Sequence, residues 1–477
     1  MNYNIFGSTA PAMPKPSKGT EFVKLALSQA SKEMREVLIP MAIPALAAHL
    51  TEVKFMYSDN KYYEMCGQMG HLIGPSGIGK AQLGHLVEAI MRSFRKHDEI
   101  EFDKLVDWQR QMKTKGANKE KPERPNVSFW FPPADVTNAA FIQNAMACEK
   151  LGTRTQYINL PEVEMADRIC GGHKQVSQMV RNIFDCQRAG ALRATAEGVT
   201  GNPTLRVNLT FTSTPEAARQ FYRKDITNGF FGRIPFAYKA RGERSGKIPR
   251  QGSYDEDFLK QLDSYLLRLD NCKGIFMVKQ LNKVADKLAE EMVRIADLTD
   301  DDILWELSHR SIFSAWKKGA VLWILNDQEW APSIGNFVEW FCYYDLWSKI
   351  KVFGDLFKGS ENEAEIQKSG PRNMLDNLEN SFNEQQLEAL RLSLGKNPEG
   401  TRHQLQVWKN RKFITYSNQT GLYSKTQEYL KGNEKLERQE KLEMTNDKLE
   451  MVSNDKDGKI RNDKLEIRNV ILGNGKI

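Results

Sequence analysis

The strongest chemical signal in this sequence is a glycine-rich stretch that ends in a lysine. Residues 74–81 read Gly-Pro-Ser-Gly-Ile-Gly-Lys-Ala. Glycines at positions 74 and 79 allow the backbone to wrap around a triphosphate with its N–H groups turned inward, and Lys80 would neutralise the outer phosphates. We therefore predict a nucleotide-binding loop, the 74–81 loop, made of Gly74, Pro75, Ser76, Gly77, Ile78, Gly79, Lys80 and Ala81.

Such a loop functions between a buried strand and a helix. The preceding residues 68–73 are largely apolar and predict a strand, and residues 83–94 repeat apolar side chains at helical spacing. Ala81 departs from the usual pattern, because a serine or threonine normally holds magnesium at this position. We expect ATP as the ligand, with Mg²⁺ lacking one of its usual protein partners.

Nucleotide hydrolysis also needs an acidic group that orients water, and the end of another strand is where this group belongs. Residues 155–160 predict a strand, which is followed by Pro161, Glu162 and, two positions later, Glu164. Glu162 is therefore our candidate catalytic carboxylate. Pro161 replaces the aspartate that usually precedes such a glutamate, which removes a second metal partner. The alternative is that both glutamates are exposed turn residues.

Two further segments carry groups that suit phosphate chemistry. Residues 205–212 predict a strand followed by Ser213 and Thr214, which are candidate sensors of the terminal phosphate or, alternatively, caps of the next helix. Arg233 ends the run Gly-Phe-Phe-Gly-Arg at 229–233 and suits a catalytic finger that reaches the nucleotide of a neighbouring subunit. A surface salt bridge is the alternative role for this arginine.

The composition limits the class of protein. The chain has 477 residues and a formal net charge of +7, so it is long enough for two or three domains, and its charge permits nucleic acid binding without requiring it. Its 6 cysteines include no Cys-x-x-Cys pair, which argues against a zinc site or a disulfide framework and fits a reducing cytoplasm. The sequence starts without a signal-peptide pattern and contains no membrane-spanning apolar run, so we expect a soluble, cytoplasmic protein without a membrane partner.

The pattern along the chain predicts an α/β core. Residues 1–18 are rich in proline and are expected to be disordered, and residues 19–52 are expected to form a helical lead-in kinked at two prolines. Short β-rich runs alternate with helical runs over residues 53–240, which predicts a parallel sheet covered by helices. The sheet should have five strands, the last at an edge because of its proline: 68–73, 126–131, 155–160, 205–212 and 234–238.

The remainder of the chain changes character. After a linker at 241–253, residues 254–357 read as an all-α domain. Its tryptophans and tyrosines at 330–347 are interpreted as a core, with a base-stacking platform as the alternative. Residues 427–477 form a charged, low-complexity tail to which we assign no chemistry.

A compact third domain lies between the helical domain and the tail. Residues 371–426 predict a helix, a turn, a helix and a hairpin, in the order that describes a winged helix. The second helix and the residues after it offer basic and amide groups to a DNA groove, and the candidate contacts are Arg402, Gln404, Lys409 and Arg411. Winged helices also bind proteins, so a protein partner is the alternative.

Five features follow one another in a characteristic order: the 74–81 loop, Ala-Asp-Val-Thr at 134–137, the glutamate after the third strand, a strand ending in Ser/Thr, and Gly-Phe-Phe-Gly-Arg. Over roughly residues 20–350 this series resembles a family of primase-helicase-like ATPases carried by bacterial plasmids, prophages and mobilizable transposons, known chiefly as a domain of unknown function. The resemblance implies a RecA/AAA-like P-loop NTPase core with strand order 5-1-4-3-2, ring assembly and work on DNA. Its functional roles carry over to Lys80, Glu162 and Arg233.

We therefore expect an ATP-binding, DNA-dependent motor or helicase-like protein that acts in the replication or transfer of a mobile genetic element. Its expected partners are DNA, further copies of itself in a ring, and other replication or mobilisation proteins of the element. The alternative is a DNA-binding initiator or accessory factor that binds nucleotide without turnover. Ala81 and Pro161 favour this alternative, whereas Lys80, Glu162 and Arg233 favour the motor.

Overall fold

The described residues fall into two compact units, one within residues 3–372 and the other within residues 373–477. The computed structural model describes residues 4–58, 61–114, 121–152, 154–170, 172–193, 198–223, 226, 229–242, 253–299, 301–358, 374–394, 396–427 and 429–430. Most of the linker at 241–253 and of the tail at 427–477 lies outside these ranges. None of the helices within them is both long enough and apolar enough to cross a membrane.

The first unit alternates helices and strands, as an α/β structure does. Its described strands are β1 (Val53–Met56), β2 (Tyr62–Glu64), β3 (Met69–Ile73), β4 (Gln156–Leu160), β5 (Val207–Ser213), β6 (Phe236–Tyr238) and β7 (Gly274–Phe276). Its described helices are α1 (Glu21–Ala26), α2 (Arg35–Ala48), α3 (Ala81–Ile90), α4 (Arg92–Thr114), α5 (Asn138–Lys150), α6 (Ala166–Cys170), α7 (His173–Phe184), α8 (Pro215–Tyr222), α9 (Phe230–Arg233), α10 (Glu256–Asp270), α11 (Lys279–Thr299), α12 (Asp302–Leu325) and α13 (Pro332–Phe353).

A four-stranded, all-parallel sheet carries the 74–81 loop. Its strand order is β4-β5-β3-β6, and Ile73 of β3 is level with Ser213 of β5 and Tyr238 of β6. Taken from β6 to β4, these strands are the fifth, first, fourth and third of the predicted strands, which agrees with the expected order 5-1-4-3. Strand β6 is an edge strand, as expected. Because the strands are parallel, their carboxyl ends lie together along one border of the sheet, which we call its carboxyl edge. Ligands bind beside this border in open α/β sheets.

The sheet has four strands and not the expected five, because residues 126–131 form no strand. The buried Asp98 carboxylate of α4 accepts hydrogen bonds from the N–H groups of Trp130 (2.8 Å) and Phe131 (2.7 Å). These are backbone groups that a strand would use for its ladder. One bond to the sheet remains, from the Tyr157 N–H to the Trp130 carbonyl at 2.9 Å. The segment therefore lies beside β4 without becoming a strand.

Helix α2 packs against the parallel sheet and is almost wholly buried. The expected lead-in is thus two helices, α1 and α2, and both Pro40 and Pro44 lie inside α2. Proline lacks an N–H group, so it removes hydrogen bonds from a helix interior. Two side chains of β5 also tie this helix to the sheet: Asn208 donates to the Pro44 carbonyl (2.9 Å) and Thr210 donates to the Met41 carbonyl (3.3 Å).

Residues 254–357, expected as a separate domain, belong to the same compact unit as the parallel sheet. Strand β7 pairs in parallel with β1, with Gly274 opposite Val53, and β2 extends this second sheet on the other side of β1. Helix α13 contacts the parallel sheet directly, since the Asp345 carboxylate accepts from the Phe236 N–H of β6 at 2.7 Å. The helical region is therefore part of the core and not an appendage to it.

Residues 4–18 pack against α13, although the sequence predicts disorder for them. The indole N–H of Trp340 donates to the Pro11 carbonyl at 2.9 Å, and that of Trp347 donates to the Gly7 carbonyl at 3.0 Å. Both tryptophans are buried, which confirms their interpretation as core residues. These hydrogen-bond partners are more than 300 residues away in the sequence, so they leave no local signal in this proline-rich segment.

The second unit contains a small antiparallel sheet and two helices in its described part. Its elements are β8 (Ser381–Phe382), α14 (Glu384–Ser393), α15 (Thr401–Asn410), β9 (Ile414–Ser417) and β10 (Leu422–Lys425), and the strand order is β8-β10-β9. The expected helix, turn, helix and hairpin are present in that order, and β8 is an additional strand. Asn383 begins α14 with a capping box, since it accepts from the Gln386 N–H at 2.9 Å and donates its own N–H to the Gln386 side chain at 2.8 Å.

Candidate nucleotide-binding site

The 74–81 loop joins the end of β3 to the start of α3, as the sequence predicts. Gly77 and Gly79 have φ angles of +81° and +91°, in the left-handed region that favours glycine. Ser76 and Gly77 are exposed, so the crest of the loop is open to a ligand. Helix α3 has 10 residues and begins directly after Lys80, and its amino end adds positive partial charge at the same place.

Lys80 connects the loop to the end of the neighbouring strand. Its ammonium donates to the Gly74 carbonyl at 2.7 Å and to the Ser213 carbonyl at 3.0 Å. Burial lowers the pKa of Lys80, and the negative charge of Glu162 opposes this shift. The cation therefore lies at the carboxyl ends of β3 and β5, within range of the carboxylate that follows β4.

Glu162 follows the end of β4 in an extended conformation (φ −130°, ψ 130°) and is exposed to solvent. The carbonyl of the preceding Pro161 accepts a hydrogen bond from the Thr212 hydroxyl at 2.5 Å, which ties the turn to β5. The structure thus brings Lys80 and Glu162 to the same edge of the sheet. Thr212, which the sequence places at the end of the predicted strand 205–212, was not among the candidate site residues.

Ser213 and Thr214 follow one another at the end of β5, and each hydroxyl has a partner within the protein. The Thr214 hydroxyl oxygen accepts from the Ala217 N–H at 3.3 Å and caps α8, which confirms the capping alternative for this residue. Ser213 is 2% exposed, and its hydroxyl oxygen lies 2.8 Å from Nε2 of His71. Of the two candidate sensors, Ser213 is the one that contacts Lys80, through its carbonyl.

His71 is a buried polar residue in the middle of β3 that sequence reasoning did not select. Its ring nitrogens lie 2.9 Å from the Tyr222 hydroxyl and 2.8 Å from the Ser213 hydroxyl. Burial, with a smaller contribution from the charge of Lys80, lowers the pKa of His71 to about 3. The imidazole is therefore neutral near pH 7, with one nitrogen donating and the other accepting. A histidine within an otherwise apolar strand was the signal that could have found it.

The lead-in contacts two residues that lie close to the loop in sequence or in the sheet. Gln82, in the first turn of α3, accepts from the Ser31 N–H at 2.9 Å and donates to the Ser31 hydroxyl at 3.0 Å. Lys239, directly after β6, forms an ion pair with Glu36 at 3.3 Å. Residues 31–36 therefore lie close to the first turn of α3 and to the carboxyl end of β6.

Arg233 lies at the opposite edge of the sheet from Lys80. It ends α9 before β6 begins, whereas the loop follows the end of β3, and these two strands are parallel. Its guanidinium donates to the Gly229 carbonyl at 2.8 Å and pairs with the Asp185 carboxylate at 3.1 Å. Within one chain, Arg233 therefore does not join Lys80 and Glu162. The salt-bridge alternative is observed, and a role as a finger requires a second copy of the chain.

The side chains around the loop suit phosphate better than a metal held by the protein. Ala81 presents an exposed methyl group at the first position of α3, and Pro161 has no side-chain oxygen. In the ranges that the structure describes, no group of three or more His, Cys, Asp or Glu side chains could hold a metal ion. The loop therefore offers donors to a phosphate group, but positions 81 and 161 do not fit the usual protein ligation of Mg²⁺.

The four predicted DNA contacts in the second unit divide into exposed and buried residues. Arg402, Lys409 and Arg411 are exposed, and Arg402 pairs with Glu384 at 2.9 Å. Gln404 is 2% exposed, so its selection as a DNA contact is wrong. The helical period turns this position inward together with its buried neighbours on the same face of α15, which are Thr401, Leu405 and Trp408.

The arrangement of Lys80, Glu162 and the amino end of α3 can bind an anion at the carboxyl edge of a parallel sheet. A scan against protein-family models matches no family, and a search of curated proteins matches none. The function of the chain is therefore inferred from its own residues.

Proposed function

We propose that the first unit binds ATP at the 74–81 loop and is a RecA/AAA-like P-loop NTPase core. The observation that carries this proposal is the position of Lys80, whose ammonium bonds to the Gly74 and Ser213 carbonyls at the ends of two adjacent parallel strands. Ligands bind at such strand ends, and the amino end of a helix there attracts phosphate. On binding, Lys80 exchanges these carbonyl partners for outer phosphate oxygens.

Glu162 supplies the second requirement of hydrolysis. Its carboxylate is exposed at the edge of the sheet that holds Lys80, where it can orient a water molecule toward the terminal phosphate and accept its proton. The bond from Thr212 to the Pro161 carbonyl supports this role, because it holds the turn that presents Glu162. Mg²⁺, when bound with the nucleotide, neutralises phosphate charge. The chain adds no hydroxyl ligand at position 81.

The proposal extends to DNA-dependent motor activity of the helicase type in the replication or transfer of a mobile genetic element. Arg233 lies at the opposite edge of the sheet, which suits a finger that approaches the nucleotide of a neighbouring copy in a ring. The second unit is proposed as a winged helix that presents the exposed Arg402, Lys409 and Arg411 to DNA. Other replication or mobilisation proteins of the element are the further partners that the family resemblance implies.

A second candidate function is favoured by Ala81 and Pro161. Both residues lack an oxygen where active P-loop enzymes supply a metal partner. In this function the protein binds ATP without turnover and acts as a DNA-binding initiator or accessory factor of the element. Nucleotide binding would then serve assembly and not movement along DNA.

ATP binding and hydrolysis by the purified chain, with and without single-stranded DNA, separate the two functions. DNA-stimulated turnover that disappears in Lys80→Ala supports the motor. ATP binding that disappears in Lys80→Ala, with no turnover at any magnesium concentration, supports the accessory factor. Lys96→Ala, which changes an exposed lysine on α4, is the matched control. Equal ATP affinity in the wild type and Lys80→Ala would reject the nucleotide site itself.

A further inference from the structure

Two cysteine sulfur atoms meet where the chain leading into β3 passes the end of α7. The Sγ atoms of Cys66 and Cys186 lie 2.6 Å apart, although 120 residues separate the two cysteines in the sequence. The sulfur atoms of a disulfide are about 2.05 Å apart. The two thiols are therefore placed so that a small movement would allow a bond between them.

Gly67 permits this close approach. A Cβ atom at position 67 would lie 2.5 Å from the Phe184 carbonyl oxygen and 2.6 Å from the Ile183 carbonyl oxygen, so a side chain there would collide with the end of α7. The residue also has a φ of +73°, which favours glycine. Cys186 follows α7 with a left-handed φ of +49°, which turns the chain out of the helix. The backbone therefore holds the two cysteines together.

Cys186 is the more exposed residue of the pair, since it is half-buried whereas Cys66 is 2% exposed. The buried Lys317 ammonium donates to the Cys66 carbonyl at 2.6 Å and places positive charge near the sulfur atoms. The hydrogen bond with Cys66 lowers the pKa of Cys186; burial opposes this shift, and the charge of Lys317 adds a smaller lowering effect. Burial instead raises the pKa of Cys148 to about 12, and this thiol donates to the Phe129 carbonyl. Cys186 is therefore the better nucleophile.

We propose that Cys66 and Cys186 form a peroxide-sensitive modification site that closes as a reversible disulfide. The Cys186 thiolate attacks one oxygen of hydrogen peroxide, the O–O bond breaks, and the departing hydroxide takes up a proton to become water. The Cys66 thiol then attacks the sulfur of the resulting sulfenic acid, and a second water leaves with the thiol proton as the S–S bond forms. Two thiols and one peroxide thus yield one disulfide and two waters. A small dithiol reverses the reaction, as expected for a redox-sensing disulfide in a reducing compartment.

The test is a thiol count on the full chain after brief exposure to hydrogen peroxide. The reduced protein is treated, quenched with catalase, and alkylated in guanidinium before intact mass and peptide mapping. We expect 6 alkylated cysteines before oxidation and two fewer afterwards, with Cys66 and Cys186 in one linked peptide pair that dithiothreitol separates. Full alkylation after treatment, a linkage between other cysteines, or sulfinic acid on Cys186 without any linkage would each overturn the proposal.

Single substitutions assign the order of the two steps. Cys66→Ser should abolish the linkage and leave a sulfenic acid on Cys186 that dimedone captures, whereas Cys148→Ser should form the linkage as the wild type does. Dimedone capture on Cys66 in Cys186→Ser at the wild-type rate would contradict the assigned order. The linkage in the wild-type protein is measured directly, so it decides the proposal even where a variant folds poorly. An oxidised wild type should also show a higher Tm, because the linkage restricts the unfolded chain.

Discussion

Nε2 of His71 lies 2.8 Å from the Ser213 hydroxyl, and the carbonyl of the same serine accepts from Lys80 at 3.0 Å. The buried centre of β3 is therefore linked through one residue to the cation of the candidate phosphate site. The other ring nitrogen of His71 contacts the Tyr222 hydroxyl at 2.9 Å. The neutral ring accepts from one of these hydroxyls, so on protonation of His71 that hydroxyl has to turn and accept from the ring instead.

His71 should make the protein less stable as the pH falls. Its pKa is about 3 in the folded protein against an ordinary value of 6.5, so between these values the unfolded chain binds a proton that the folded chain does not. The contribution of His71 is fully present above pH 6.5 and declines toward pH 3 by about 1.4 kcal/mol per pH unit in the free energy of unfolding. Urea unfolding at pH values within this window should show a steeper loss in the wild type than in His71→Asn.

The comparison with His71→Asn is needed because another buried group acts in the opposite direction. Burial raises the pKa of the Asp98 carboxyl to about 6, so the folded protein binds this proton more tightly than the unfolded chain. The contribution of Asp98 is common to both proteins and cancels in the difference between them. Equal pH slopes in the wild type and the variant would mean that folding does not depress the pKa of His71.

Ala81→Thr should strengthen magnesium-dependent ATP binding. The position is exposed at the start of α3, so the added hydroxyl can reach the metal without crowding the core. A gain of about 1–2 kcal/mol corresponds to a roughly 5- to 30-fold lower Kd. Isothermal titration with ATP in the presence of magnesium and in the presence of a chelator measures the effect. Ala81→Val has nearly the same shape without the oxygen, and a similar gain in this control would exclude metal ligation as the cause.

Arg233 should act only between copies of the chain. Arg233→Ala and Lys80→Ala are each expected to abolish turnover, because one lacks the finger and the other lacks the phosphate cation. A mixture of the two should recover activity, since a wild-type loop then meets a wild-type arginine from its neighbour. The ATPase rate of the mixture, measured against either variant alone, is the readout. An inactive mixture of proteins that still co-assemble would assign Arg233 to its salt bridge with Asp185 alone.

The exposed face of α15 should govern the salt dependence of DNA binding. Arg402→Ala combined with Lys409→Ala should weaken binding and reduce the slope of log K against log salt by about 1 for each phosphate that is no longer neutralised. Fluorescence anisotropy over a salt series measures this slope. Gln404→Ala is the control, because its side chain is buried and its removal should lower the unfolding midpoint without changing the slope. An unchanged slope in the double variant would separate α15 from DNA.

Much of the first unit could be predicted because its signals are local. The strand before the 74–81 loop, the helix after it and the three other parallel strands appear within a few residues of the expected bounds. The prediction of a strand at 126–131 was wrong, because two backbone N–H groups of this apolar run donate to the Asp98 carboxylate of α4. The prediction of a separate helical domain was also wrong. The β1-β7 pairing joins segments more than 200 residues apart, and a contact over this distance leaves no local pattern in the sequence.

The sequence by itself determined the 74–81 loop and its flanking elements, because glycine flexibility and the period of apolar side chains act over a few neighbouring residues. Only the tertiary structure decided which distant groups meet. Asp98 bonds the N–H of Trp130 32 residues away, Asp185 holds an arginine 48 residues away, and Cys66 meets a thiol 120 residues away. These residues are neighbours only in the folded chain, and no local pattern in the sequence predicts such contacts.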